Sequence, residues 1–370
     1  MRICILGAGL QGRAVIQDLV KNNHQVTVLD NNQNNFKRII KSSRISTKLF
    51  DVTKKNELIK FIKNYEVVVG ALPADLGFYA MQCAIEARVD MVDMSYSEQD
   101  PFILDKQAKR QKVKIVPDAG FAPGLSNILI GEAYQEFKKI TSLRILVGGI
   151  PQNPIPPFNY KYTWSPSDLV AEYTRPARIV NNYKIIEIEA LTGIERFQIP
   201  KIGQLECFYT DGLRTLLHTF KNIKNMEEKT IRYEGHAEII KELFKFGFTP
   251  SEPNPFTGNK INPKTYVLQF LQSELSKGDD LDLTILIVDI KSQNKTRRYR
   301  RYSCIDYYDR KDKITSMARM TAYTCSIITQ CIKDYPDYGV IPPEYLGMYQ
   351  DISNFIKSEL KKRNIIIRKS

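Results

Sequence analysis

The sequence predicts an α/β protein: a doubly wound parallel sheet first, then an α+β domain with a mixed or antiparallel sheet. Three observations carry the prediction. A glycine turn, Gly7-Ala8-Gly9-Leu10-Gln11-Gly12, joins a short apolar run to a helical period. Short apolar runs then alternate with helical segments up to "VKIVPDAG". Beyond residue 140 the period changes to longer alternating runs, "SLRILVGGI", "YKIIEIEAL" and "LDLTILIVDI", as in a sheet with one wet face.

The turn has the GxGxxG spacing in the context that gives it meaning, strand before and helix after. Gly7 permits the tight turn, Gly9 lets backbone approach a pyrophosphate, and Gly12 lets helix and strand pack closely. Leu10 and Gln11 open the helix, whose N-terminus offers free N–H groups to phosphate. The next run, "HQVTVLD", ends in Asp30, placed to accept hydrogen bonds from a ribose and to repel a 2′-phosphate. This Rossmann-type arrangement favours NAD; Lys37 and Arg38 nearby keep NADP open.

The runs "ISTKLFDV", "EVVVGALP", "VDMVDMS" and "VKIVPDAG" complete an expected six-stranded parallel sheet. Ligands of such sheets sit beyond the carboxyl ends of the strands, which here carry Asp51, Ala71-Leu72, Ser95-Tyr96 and Asp118. The stretch "PDAGFAPGLSNIL" is both site edge and exit from the domain. Asp118 stands where a nicotinamide and a substrate are expected to meet; a turn or helix-cap carboxylate is its alternative reading. The expected divisions are 1–123, a dinucleotide domain; 124–313, a substrate and dimerisation domain; and 314–370, helices packing back on the first.

Composition narrows the function. With 370 residues and 43% apolar content the chain can bury two cores. It contains no apolar run of the ~20 residues a span needs, and "MRICILGAG" does not read as a signal peptide, so a cytoplasmic protein is expected. Six cysteines without CxxC spacing and only three histidines imply no metal. The excess of 54 Lys+Arg over 41 Asp+Glu reads as solvated faces, since no nucleic-acid motif accompanies it. Neither nucleic acid nor membrane is an expected partner.

Polar residues gather in "NYKYTWSPSDLVAEYTRPA", "CFYTDGLRTLLHT" and "IRYEGHAEI". Tyr160, Tyr162, Trp164, Tyr173, Arg175, Tyr209, Arg214 and His236 lie in them, among turn-forming residues where binding groups commonly sit. Arg214 suits a carboxylate held in two-pronged fashion.

These segments, with "GAGLQGRAV", "VVVGALP", "VGGIP", "KTIRYEGH", "SMARMTAYT" and "GVIPPE", run in order from end to end. Together they resemble the saccharopine dehydrogenase family, and more closely its lysine 6-dehydrogenase branch. The resemblance implies a homodimer in which NAD oxidises the ε-amino carbon of L-lysine; the imine loses ammonia and the semialdehyde cyclises to a piperideine carboxylate. It implies that Asp30 and Asp51 bind the adenosine half, and that Ala71, Leu72, Ser95 and Tyr96 face nicotinamide and substrate. Saccharopine reductases of the family carry an aspartate where this chain has Ala122 and a cysteine where it has Val147. Saccharopine chemistry, or oxidation of another amino acid, is therefore the alternative activity, and a dinucleotide sensor the non-enzymatic one.

A lysine ε-amine, with pKa of about 10.4, must lose a proton before its carbon gives up hydride. Asp118 is the first candidate for that proton, followed by His236 and the tyrosines Tyr160 and Tyr162. Arg214 would anchor the substrate carboxylate.

Overall fold

The computed structural model describes residues 1–162, 166–245, 263–293 and 299–370. Trp164 lies outside them. The chain divides into two compact units, Met1–Lys138 with Ala318–Ile367, and Lys139–Met317 with Arg368–Ser370.

The first unit is built on β1 Arg2–Leu6, β2 Gln25–Asp30, β3 Ile45–Leu49, β4 Val67–Gly70, β5 Asp90–Asp93 and β6 Lys114–Val116. Their order is β6-β5-β4-β1-β2-β3, every pairing parallel. Residues of β4 and β5 are buried throughout, as strands covered by helices on both faces must be. A seventh strand, Gly339–Val340, adds in parallel to β6. Two residues beside a Pro-Pro pair carry no readable period, so the sequence suggested six strands where the sheet has seven.

This unit continues to Lys138, past the boundary expected at 123. Helix Leu125–Phe137 packs against helix Pro343–Met348 so closely that a Cβ on Gly131 would lie 1.9 Å from the Glu344 carbonyl oxygen, and one on Gly347 2.0 Å from that of Ile128. The C-terminal segment is also tied to helix Leu10–Lys21. Arg363 donates to both oxygens of Asp18, at 2.7 and 2.9 Å, and Ser326 Oγ donates to the same carboxylate at 2.6 Å. Arg–carboxylate forks of this kind are directional and strong when buried, and Asp18 is 4% exposed.

The second unit holds β7 Ile140–Pro151, β8 Ala177–Asn181, β9 Lys184–Ile188, β10 Glu195–Ile199, β11 Gly203–Tyr209, β12 Asn225–Tyr233, β13 Asp282–Ser292 and β14 Tyr299–Tyr307. The order is β10-β11-β12-β7-β13-β14, closed at the edge by Arg368–Lys369; the β8–β9 hairpin joins through Val180 to Met226. β7 and β12 run parallel and the other pairs antiparallel, so the sheet is mixed. Helices Pro166–Thr174, His236–Lys245 and Pro263–Leu275 accompany it, and its core gathers Ile150, Phe158, Tyr160, Cys207, Ile231 and Ile285.

All six cysteines are buried and free of disulfides. Among the described residues no helix is long and apolar enough to cross a membrane, and no group of three or more His, Cys, Asp or Glu is arranged to hold a metal.

Candidate functional site

Parallel pairing brings the carboxyl ends of the first unit's strands to one edge. At β1 the chain turns through Gly7, whose φ of +101° suits only glycine, and a Cβ there would sit 2.4 Å from the Ala71 carbonyl oxygen. A Cβ on Gly12 would in turn fall 2.2 Å from the Gly7 carbonyl oxygen. Gly9 differs from both. Its φ is −65°, which any residue adopts, and a Cβ would meet nothing within 4 Å. Nothing in the protein itself requires glycine there, so the bare backbone faces a cradle at a helix N-terminus, where a phosphate group fits. Gln11 beside it keeps a buried Oε1 with no partner in the protein.

Asp30 closes this cradle from β2. Its Oδ2 accepts the Ala8 N–H at 2.7 Å, Oδ1 accepts that of Asn32 at 2.7 Å, and Asn35 Nδ2 reaches both oxygens at 3.1 Å. Asp51, after β3, is exposed and caps its own turn, accepting from Thr53 N and Oγ1 at 3.0 and 2.7 Å. Ala71 and Leu72, half-buried, follow β4, where Ala71 N donates to Leu6 O at 2.9 Å.

The ends of β4, β5 and β6 are stitched together. Met94 N donates to Gly70 O at 3.1 Å and Ala119 N to Asp93 O at 2.8 Å. Ser95 donates through Oγ, and through N at 3.1 Å, to the fully buried Asp93 carboxylate. Gly70 and Gly77 make room for this pair: a Cβ would lie 1.9 Å from Asp93 Oδ1 at the first and 1.7 Å from Ser95 Oγ at the second. Tyr96 is half-buried. Asp118 is 3% exposed with φ of +52°, a left-handed conformation that Asp tolerates better than most side chains. The turn after it closes where Leu125 N donates to Gly120 O at 3.0 Å.

In the second unit a buried polar group forms around His236. Nδ1 donates to Phe158 O at 2.8 Å, which leaves Nε2 to accept the Tyr173 hydroxyl at 2.8 Å. Burial first, then the Arg232 charge, push the imidazole down to about 3. It is 0% exposed with both nitrogens engaged, a neutral, sequestered ring at the position where the sequence suggested a general base. Tyr160, 1% exposed, packs edge-on against it at 5.2 Å and carries the Arg232 guanidinium 4.3 Å over its ring. It too is a core residue. Burial opposes the Arg232 charge, but Tyr160, Tyr173 and Glu172 outweigh it and hold the guanidinium ionised.

Tyr209 belongs to a different face. Alternate residues of a strand point to opposite sides, and Tyr209 pairs with Lys229, away from Arg232. Its hydroxyl donates to Glu227 at 3.1 Å and Lys229 Nζ sits 4.3 Å over the ring; burial, then Glu227, push the phenol up to about 12. Tyr162 is half-buried, its N–H donating to Leu275 O at 3.0 Å. Arg214 is 7% exposed with φ of +48°, in the loop that follows β11.

Sequence reasoning passed over the acids of this unit. Asp211, 6% exposed, takes a two-pronged contact from Arg178 at 3.0 and 2.9 Å, with Arg175 at 3.4 Å. Glu228 lies fully inside β12, and burial, then Asp211 and Glu172, raise its carboxyl to about 8. The available signal was the acid pair of "NMEEKTIRY", set in a strand-like run.

The fold and the glycine cradle define a two-unit α/β protein of the dinucleotide-binding class. Comparison with known proteins gives the family. Residues 3–119 match the family described as saccharopine dehydrogenase NADP binding domain, and residues 120–366 that described as saccharopine dehydrogenase C-terminal domain. The chain belongs to the saccharopine dehydrogenase family. It is 23% identical to the NADP-dependent, L-glutamate-forming saccharopine dehydrogenase of Saccharomyces cerevisiae over 76% of this chain and 66% of that one. It is 28% identical to the alpha-aminoadipic semialdehyde synthase of Arabidopsis thaliana over 57% of this chain and 21% of that one. The chain thus spans a minor part of the synthase. The S. cerevisiae saccharopine dehydrogenase structure superposes with a TM-score of 0.80 at 18% identity, covering 100% and 99% of the two chains. A homospermidine synthase from Legionella pneumophila, in complex with NAD, gives 0.65 at 16%, covering 100% and 91%.

Proposed function

We propose that this chain is an NAD(P)-dependent oxidoreductase acting at an amine-bearing carbon of an amino acid, with saccharopine-type chemistry as its reaction. In that reaction the CH–NH bond of a secondary amine is oxidised to an imine, and water splits the imine into an amino acid and a semialdehyde. The observation that carries the proposal is the open backbone at Gly9, framed by the Asp30 clamp, in a chain whose two parts match the two family domains in order. Relatives named for saccharopine and aminoadipic semialdehyde support this substrate class.

The dinucleotide, when bound, supplies the hydride acceptor. Gly9 and the N–H groups of helix Leu10–Lys21 would hold its phosphates, Asp30 and Asp51 its adenosine half, and Ala71, Leu72 and Ser95 would border the nicotinamide. Asp30 favours NAD, because a second negative charge at a 2′-phosphate would be repelled. In the second unit Arg214 would pair with a substrate carboxylate. We read the functional form as a homodimer in the cytoplasm.

Oxidative removal of the lysine ε-amine is the second reading. It is favoured by Ala122 and Val147, which stand where the family resemblance implies an aspartate and a cysteine in saccharopine reductases. The test is absorbance at the reduced-nicotinamide band with NAD or NADP against saccharopine, lysine, ornithine and other amino acids. Reduction with saccharopine supports the first reading and reduction with lysine alone the second. Silence across the panel, with dinucleotide still binding, would leave a sensor.

A further inference from the structure

We propose that Glu228 is the proton-exchanging group of the second unit, accepting a proton from the amine of a bound amino acid and returning it in the reverse reaction. The inference rests on the reading above, which requires that an ammonium nitrogen become neutral.

The geometry comes first. On one face of β12, Glu228, Thr230 and Arg232 stand in succession. The loop after β11 closes over Glu228: Thr210 N donates to its carbonyl oxygen at 3.4 Å, and the Thr210 and Thr230 hydroxyls meet at 3.0 Å. Gly212 leaves the space for the carboxyl, since a Cβ there would fall 1.5 Å from Glu228 Oε1. Oε2 has no partner within the protein. Buried carboxyl oxygens normally have one.

A second buried glutamate shows the contrast. Glu206, on β11, is 0% exposed and wholly used by structure: its oxygens accept the N–H groups of Gly235 and Ala237 at 2.9 and 2.7 Å, capping helix His236–Lys245. Glu228 performs no such task. An acid that is buried, roofed by a glycine and left with an unused oxygen is built to exchange something.

Its electrostatics suit a proton. The acids acting on it are Asp211 from the loop and Glu172 from helix Pro166–Thr174, and the cations beside those acids are Arg175, Arg178 of β8 and Arg232 of β12. The cations are committed to other acids, Arg178 and Arg175 to Asp211 and Arg232 to Glu172. Burial and the two anionic neighbours therefore raise the Glu228 carboxyl to about 8, between neutrality and the affinity of an amine, where a general acid or base works best. In the oxidative direction the carboxylate and the substrate's secondary ammonium, R2NH2+, become the carboxyl and R2NH, the form whose carbon can give up hydride. In the reductive direction the carboxyl returns the proton to nitrogen.

The experiment measures kcat/KM against pH in both directions for the full chain and for Glu228→Gln. The expected result is a limb near pH 8, rising with pH in oxidation and falling in reduction, that disappears in Glu228→Gln with a loss of about 10²- to 10⁴-fold and little change in substrate KM. A variant that keeps the wild-type limb overturns the proposal. Infrared difference spectra of wild-type protein labelled with 13C-glutamate give a readout independent of turnover and of the variant's folding. A buried carboxyl that titrates near pH 8 and changes ionisation when saccharopine or lysine is added supports the role; one that ignores both additions overturns it. A wild type that oxidises nothing in the panel refutes the proposed function separately, and the infrared response to added amino acid still decides Glu228.

Discussion

Asp30 Oδ2 accepts the Ala8 amide at 2.7 Å, so the carboxylate expected to meet a ribose also clamps the glycine turn from behind. The two roles separate by substitution. Asp30→Ala removes the clamp, and a charged hydrogen bond is worth about 1.5–3 kcal/mol, so affinity for NAD and NADP should both fall, by about ten- to a hundredfold. Asp30→Asn keeps an acceptor for Ala8 but loses the charge, and should shift preference toward NADP. Fluorescence titration with each dinucleotide reads both. Unchanged NAD-to-NADP preference in Asp30→Asn would remove Asp30 from the ribose site.

Gly9 and Gly7 should respond in opposite ways. Gly9→Ala meets no protein atom and keeps an ordinary φ, so its melting temperature should match wild type while dinucleotide binding weakens about tenfold or more, the loss of one charge-assisted contact. Gly7→Ala faces both the Ala71 carbonyl and a φ of +101° and should destabilise the fold itself. Normal binding by Gly9→Ala would show that the cradle is not the phosphate site.

His236 makes a prediction about acid stability. Its pKa falls from the ordinary 6.5 to about 3 on folding, so the unfolded chain takes up the proton first. The stabilising effect of a neutral His236 is complete above pH 6.5 and is lost as pH falls toward 3, by about 1.4 kcal/mol per unit. Urea unfolding at pH 7 and pH 4.5 should show wild type losing about 2–3 kcal/mol more than His236→Asn. Equal losses would mean that the ring is accessible after all.

Lys114 tests the added strand. Its buried ammonium donates to the carbonyl oxygens of Ile332, at 3.1 Å, Lys333, at 2.9 Å, and Tyr335, just ahead of Gly339–Val340. Lys114→Met leaves those acceptors dry and should cost about 2–3 kcal/mol, read as a lower melting temperature and faster amide exchange at Val340. An unaffected exchange rate there would show that the strand holds by its backbone pairing alone.

Much of the first unit was legible in the sequence, because its signals are local. GxGxxG, the acid closing the second strand and the alternation of short apolar runs with helical periods each occupy a few neighbouring residues, and they led correctly to a parallel sheet with a mixed sheet after it. The family was legible for the same reason, through ordered motifs. Tertiary structure decided the rest. A two-residue strand from position 339 exists only because β6 offers an open edge. The fold wraps Phe158, Tyr160 and Tyr173 around His236, and it buries Glu228, which sequence reasoning passed over, beside Asp211 and Glu172. Proton affinity depends on burial and on charges brought together from distant parts of the chain; a sequence states which groups are present, and only the fold sets what surrounds them.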